Sequence, residues 1–286
     1  MQRIFVGDVQ GCREEFVELV KRATDAFGDE FALWITGDLV NRGPDNRRPL
    51  ELVRGLVEAG RAEYVLGNHE INLLAVDFGL RDLGPSDTFD DVLSGRDAAE
   101  WIEWLRRRPL VASGQIGDQR FAMVHAAADP DWSLEDLVDR GNRVGERLSA
   151  SRESASEFFS ADPATDPLRD ALARMTRCRS VTADGGWSSD EPVSPEQAWH
   201  RVWTSRGHDY ALVYGHWARQ GLHVDPGLRG LDTGCVHHGR GRDGFLTAWL
   251  PESRPAAKGR RPFDLPDDRF WQIPAKRRYY SDPVLR

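Results

Sequence analysis

Cysteine is scarce in this chain. Cys12, Cys178 and Cys235 stand far apart among 286 residues. An odd, scattered set builds no disulfide framework, and without a Cys-x-x-C pair it offers no structural zinc site. A reducing compartment, the cytoplasm, is the expectation. Long apolar runs are missing too: none approaches the roughly 20 residues that cross a bilayer, so no membrane partner is expected. The first residues enter a strand-like run, Ile4-Phe5-Val6, without a charged lead, an apolar stretch or a cleavage site, and no signal peptide is expected. Net positive charge is also lacking. At −8, the formal charge argues against generic binding to a nucleic-acid backbone. An anionic ligand would have to be held by local positive charge, from arginines or metal ions.

What is present is a beat of glycine-bounded loops. Gly7-Asp8-Val9-Gln10-Gly11, Gly37-Asp38-Leu39-Val40-Asn41-Arg42-Gly43 and Gly67-Asn68-His69-Glu70 place Asp8, Asp38 and Asn68 at intervals of thirty residues. Each loop follows an apolar run (Ile4–Val6, Phe31–Thr36, Glu63–Leu66) and precedes a helical pattern (Arg13–Ala26, a stretch after Pro44, Glu70–Val76). Alternating strands and helices predict an α/β fold with a largely parallel sheet, whose functional loops gather at the carboxyl ends of the strands. Further strands are predicted over Arg120–Val124, Ala211–Tyr214, Gly230–Asp232 and Phe245–Leu250, and a helix over Trp101–Leu105. The whole of 1–286 reads as a single domain. A Ser-, Asp-, Ala- and Pro-rich stretch at about 150–195, helical only around Pro167–Arg174, reads as a cap or irregular insertion. The Pro- and Arg-rich 251–286 reads as a basic surface tail with an ordered patch at Phe270–Ile273.

Asp8, Asp38, Asn68, His125 and His216 all sit just after strand-like runs. Carboxylate, amide oxygen and imidazole are ligands for Mn, Fe, Co, Ni or Zn. Two divalent ions about 3.5–4 Å apart can share a carboxylate and a hydroxide, make a nucleophile from water and neutralise phosphate oxygens during in-line attack. Asp38, in the middle loop, is the natural bridge. His69 points away from its neighbour Asn68 and suits a general acid rather than a ligand. Arg42 offers a planar fork to a phosphate.

The order and spacing of these motifs resemble the metallo-dependent, calcineurin-like phosphoesterases, and in detail the bacterial symmetrical diadenosine tetraphosphatases. The resemblance continues through Trp104–Leu110, Val124-His125-Ala126 with Pro130 and Trp132, Tyr214–Ala218 and Leu231–Cys235. It implies a four-layer α/β/β/α sandwich with a small cap. It implies hydrolysis of diadenosine tetraphosphate to two ADP by attack of a metal-bridging hydroxide, with two divalent ions, foremost Mn, and Co, Fe or Ni as other choices. It puts Asp8, Gln10 and Asp38 around the first metal and Asp38, Asn68, His125 and His216 around the second. His69 becomes the acid, Arg42 a phosphate clamp, and Arg174 a second arginine on the phosphate.

Two positions separate this chain from the wider superfamily pattern. Gln10 stands where histidine is common, a harder oxygen donor that favours Mn. Asn41 stands where protein phosphatases carry an aspartate beside the catalytic histidine. Both speak for a nucleotide substrate over a phosphoprotein, with dinucleotide-type caps on RNA 5′ ends as a chemically related alternative. Near the cap, Ala127 replaces a usual glycine. Ten tryptophans raise the question of base stacking. Core packing is the expectation for Trp132 and Trp217, and stacking on adenine the alternative. His237-His238 reads as a surface loop, and His200, His208 and His223 lie outside any motif.

Overall fold

Alternation along the strands decides how the layers stack. In the computed structural model, which describes residues 1–182, 184–251, 262–264 and 269–279, the elements run β1 (Gln2–Val6), α1 (Arg13–Phe27), β2 (Phe31–Ile35), α2 (Arg47–Glu58), β3 (Ala62–Tyr64), α3 (Asn68–Asp77), α4 (Asp90–Leu93), α5 (Ala98–Leu105), β4 (Val111–Ile116) and β5 (Gln119–Val124). They continue with α6 (Leu134–Ser149), α7 (Arg152–Ser160), α8 (Pro167–Arg177), β6 (Ser180–Val181), β7 (Trp187–Ser188), α9 (Trp199–Ser205), β8 (Tyr210–Tyr214), β9 (His223–Asp225), β10 (Leu228–Gly230), β11 (Asp232–Thr233), β12 (Phe245–Trp249) and β13 (Phe270–Pro274).

One sheet has the order β11-β12-β1-β2-β3, with β13 on the other edge of β12. Within it β1, β2 and β3 are parallel, and β12 and β13 are antiparallel additions. The second sheet has the order β4-β5-β8-β10-β9, with β5, β8 and β10 parallel. Phe5 and Trp34 of the first sheet each meet Phe121 of the second with ring centroids 5.3 Å apart, and Val65, Met123, Ala211, Val213 and Trp249 complete an apolar inter-sheet layer. Residues of the other parity, Ile4, Val6, Leu33, Ile35, Val124 and Leu212, join the core under the helices. Strands covered on both faces read as continuous apolar runs, as Phe31–Ile35 does. The predicted four-layer sandwich is present, with α1 and α2 outside the first sheet and α6 outside the second.

Three regions differ from the sequence reading. β4 and α6 carry too many polar residues to be noticed by apolar content. Yet α6 buries Leu134, Leu137, Gly141, Val144 and Leu148 at alternating spacings of three and four, behind a capping box of Ser133 and Asp136. The 150–195 stretch is not irregular: it holds α7, α8 and the β6–β7 hairpin. Its helices bury one narrow face each (Ala155, Phe158 and Phe159; Ala171, Leu172 and Met175), which a weak periodicity conceals. The ordered patch at Phe270–Ile273 is strand β13, paired along all of β12. Lys276 and Arg277 are not free in solvent but ion-paired to Glu18 and Glu14 of α1, whereas Arg260-Arg261 lie outside the described residues. No helix among the described residues is long and apolar enough to cross a membrane.

Candidate metal centre

Backbone strain marks the site before any side chain does. The non-glycine residues with positive φ, among those described, are Gln10, Asp38, Asn41, Arg42 and His216. All five stand in the loops that close β1, β2 and β8. Such conformations cost roughly 1–3 kcal/mol each and persist where surrounding structure enforces them. Space is cleared as well: a Cβ on Gly67 would collide with Asp38 Oδ1, and one on Gly215 with Asp8 Oδ1. The glycines of these motifs make room for carboxylates.

Ligand atoms of Asp8, Asp38 and His125 lie within 4.8 Å of one another, all buried. Asn68 opens α3, and its Oδ1 is 3.1 Å from His125 Nε2 and 2.8 Å from His216 Nδ1. His125 Nε2 is also 3.5 Å from Asp38 Oδ2. The outer nitrogen of each imidazole has its own acceptor: His125 Nδ1–H donates to the Thr36 carbonyl at 2.8 Å, and His216 Nε2–H to that of Arg177 at 3.2 Å. Burial pushes both histidines down, His125 to about 4, so each is neutral and its single proton is spent outward. The inner nitrogens then present lone pairs to Asn68 Oδ1 and Asp38 Oδ2. Acceptors facing acceptors repel unless a cation, or a proton on Asp38, lies among them, and histidines pinned from behind by carbonyls are the usual arrangement around metals. The donor set fits divalent ions of the Mn to Zn series.

Gln10 Nε2 stands 3.4 Å from Asp38 Oδ2, and a half-turn of its amide offers Oε1 to the same space. Asp8 accepts the His216 backbone N–H through both oxygens at 3.1 and 3.2 Å, which joins the first loop to the loop after β8. All six expected ligands therefore converge.

Three carboxylates outside that set also act here. Glu70 accepts the backbone N–H groups of Asp38, Leu39, Val40 and Gly67 at 2.8–3.3 Å, clamping the second loop to the third. Asp232 is buried near Asp8; its Oδ1 accepts Gly234 N–H, and burial raises its carboxyl. Asp87 holds Asn41. The Asn41 Oδ1 accepts the N–H groups of Arg42 and Thr88, so its amide nitrogen must serve Asp87 Oδ1 at 2.9 Å and His69 Nδ1 at 2.7 Å. Nδ1 of His69 is thereby an acceptor, and the proton of the neutral ring sits on Nε2, 3.7 Å from Asp38 Oδ2. Burial, then Arg42 and His125, hold His69 well below its ordinary range. Burial alone would raise Asp87, but hydrogen bonds from Asn41, Gly84 and Arg81 hold it down.

Arg42 uses Nη1 on Ser86 and Asp87, while its other guanidinium nitrogens make no hydrogen bond among the described residues. Arg174 is matched by two carboxylates, Asp170 at 2.7 Å and Asp129 at 2.5 Å. Trp217 is buried and donates to Glu191, and Trp132 lies under Arg140, as core packing predicts. His237 and His238 are half-buried at a 3₁₀ turn rather than on an open loop, because Gly234 turns the chain back onto β12.

Burial and mutual repulsion raise the carboxyls of Asp8, Asp38 and Glu70, the last two to about 7. These carboxyls bind more protons in the folded metal-free protein than in the unfolded chain, where they titrate at roughly 4, so their share of the stability is full in acid and is lost as pH rises from about 4 to about 7. His69, His125 and His216, held below an ordinary imidazole, give the opposite trend over the same window. Divalent ions displace protons from the carboxyls and need the imidazoles neutral, so the stabilisation they give should grow as pH rises. Thermal melts of chelator-treated and metal-loaded protein across this window check it; a metal-induced gain in melting temperature that stays flat or shrinks with rising pH would contradict it.

The sequence profile of the calcineurin-like phosphoesterases matches residues 1–219, and the chain belongs to that family. Within it the chain is similar to proteins named symmetrical bis(5′-nucleosyl)-tetraphosphatase. That of Ralstonia nicotianae is 37% identical over 268 residues, spanning 88% of this chain and 90% of the relative. One from a Shewanella species is 34% identical, spanning 87% and 94%. Two solved structures share the fold: one provisionally described as a diadenosine tetraphosphatase (TM-score 0.59, 24% identity, 96% and 93% covered), and a Saccharomyces cerevisiae protein serine/threonine phosphatase (TM-score 0.53, 15% identity, 99% and 82% covered). The family implies a dinuclear divalent metal site.

Proposed function

We propose that the chain hydrolyses diadenosine tetraphosphate symmetrically, giving two ADP, with two divalent ions, foremost Mn, held by Asp8, Gln10, Asp38, Asn68, His125 and His216. The observation that carries this is the convergence in one buried place of His125 Nε2, His216 Nδ1, Asn68 Oδ1 and Asp38 Oδ2, with both imidazoles pinned from behind by backbone carbonyls. The names of its relatives supply the substrate class. Bound ions supply a water-derived nucleophile near neutral pH and neutralise phosphate oxygens. The chain's own residues do the rest. Arg42 offers its unengaged nitrogens to a phosphate, and Arg174 is the second candidate for that work. His69, its proton held on Nε2 by Asn41, donates that N–H to the departing ADP oxygen as a hydrogen bond and stabilises the charge that develops there. A cytoplasmic site of action is in keeping with three free, buried cysteines.

The test is product analysis after incubation with diadenosine tetraphosphate and Mn or Co. Two ADP are expected; AMP plus ATP would overturn symmetric cleavage, and no turnover with any of Mn, Co, Fe or Ni would overturn the reading. The metal assignment has its own check. Gln10→His replaces a neutral oxygen donor with imidazole and is expected to raise affinity at the first site, read by metal titration. An unchanged titration would show that Gln10 does not coordinate.

A further inference from the structure

A second cluster of nitrogen and oxygen donors lies on the second sheet, outside the set that faces Asp38. His200 belongs to α9, which follows the insertion; His223 and Asp225 belong to β9, the edge strand. Their ligand atoms all lie within 4.8 Å of one another. The imidazoles are close, with centroids 4.4 Å apart. His200 is at 8% relative exposure; its ring nitrogens make no hydrogen bond among the described residues and are not sealed from solvent. They are therefore free of partners among those residues and open to a ligand. His223 is oriented from behind: Nδ1 is 2.6 Å from the Tyr214 hydroxyl, while Nε2 faces Asp225 Oδ2 at 2.9 Å. That is the arrangement of a ligating histidine with its second nitrogen fixed by the protein. Burial keeps His200 neutral by lowering it to about 4, which leaves its lone pair available.

We propose that His200, His223 and Asp225 form a third metal site, for a zinc-class ion, clipping α9 to the edge strand β9. Two imidazoles and one carboxylate suit Zn, Co or Ni, with water in the remaining position. Donors around tetrahedral zinc lie roughly 3.3 Å apart, given bonds of about 2.0–2.1 Å. The His223–Asp225 pair is already that close, and the His200 ligand atom lies within 4.8 Å of both. Asp225 is half exposed, so an ion can enter from solvent. The clip would anchor the end of the insertion and cover part of a sheet edge. The proposal is independent of the substrate assigned above.

The test counts metal. Chelator-stripped protein is loaded with Zn or Co, dialysed and analysed for bound ion. His200→Gln and Asp225→Asn are each expected to bind one equivalent fewer than wild type, with Mn-supported turnover unchanged. Asp225 is exposed enough that Asp225→Asn should fold even if the buried variant does not. Asp38→Asn, which disables the main centre, is expected to keep the equivalent that His200→Gln loses. Equal stoichiometry in wild type and Asp225→Asn would overturn the third site, as would loss of that equivalent in Asp38→Asn. Neither outcome bears on dinucleotide hydrolysis, which the product assay tests separately.

Discussion

His69→Ala is expected to keep both divalent ions and lose turnover by roughly 10²–10⁴-fold, the range for removing a general acid. The residue follows Asn68 in the first turn of α3, with Nδ1 on Asn41 and Nε2, which carries the proton, 3.7 Å from Asp38 Oδ2. What makes it an acid is proton bookkeeping. Asp87 can only accept, two backbone N–H groups occupy Asn41 Oδ1, and so the Asn41 amide must donate to Nδ1. An imidazole that accepts at Nδ1 carries its proton at Nε2, whatever its neighbours. An aspartate at position 41 would instead pull a proton onto Nδ1 and favour the cation. Asn41 keeps the ring neutral, so its Nε2–H serves the leaving ADP oxygen, itself a weak base, as a hydrogen-bond donor to the developing charge. Metal analysis and turnover on the same preparation check the prediction. Loss of a metal ion in His69→Ala would make His69 a ligand and remove it from the acid role.

How much of this is legible in the sequence follows from where each residue's partners lie. Asp8, Asp38, Asn68, His125 and His216 are readable because each ends a strand-like run, and parallel strands bring their carboxyl ends together. The sandwich is readable because Phe31–Ile35 and Tyr210–Tyr214 are apolar on both faces. α6 is harder, since its buried residues are outnumbered by charged ones; Ser133-x-x-Asp136 and the spacing of Leu134, Leu137, Val144 and Leu148 were the available signals. Asp87 is not readable at all. It lies 46 residues beyond Asn41, in a loop with no motif, and only the fold lays it behind the amide. Asp232 follows a short apolar run like the ligands do. Nothing in its type distinguishes a carboxylate near Asp8 from one that coordinates. Arg174 shows the converse limit, because an arginine in a recognisable stretch can be satisfied by Asp129 and Asp170.

Glu70 shows the same limit most sharply, and its replacement should have the largest effect on the frame. In the Gly-Asn-His-Glu stretch it reads as an ordinary acidic residue in the first turn of a helix. In the fold its two oxygens divide four backbone donors. Oε2 takes Gly67 and Asp38, and Oε1 takes Leu39 and Val40. Burial, then Asp38, raise its carboxyl to about 7, while the N–H groups and any bound cations favour the ionised form. Glu70→Gln keeps the shape and removes one acceptor. Whichever way the amide turns, its NH₂ faces two N–H groups that then have no partner. At roughly 1–3 kcal/mol for each buried donor left unpaired, the expected loss is about 2–6 kcal/mol. The loss falls on the loop that holds Asp38 in its left-handed conformation, so both metal sites should weaken together, because Asp38 is the ligand they share. Denaturant melts of metal-free protein and metal titration of the folded variant measure the two effects separately. A Glu70→Gln protein with wild-type stability and wild-type metal affinity would mean that Glu70 already carries a proton in the native state, and that the second and third loops are held by their glycines and by Asp38 alone.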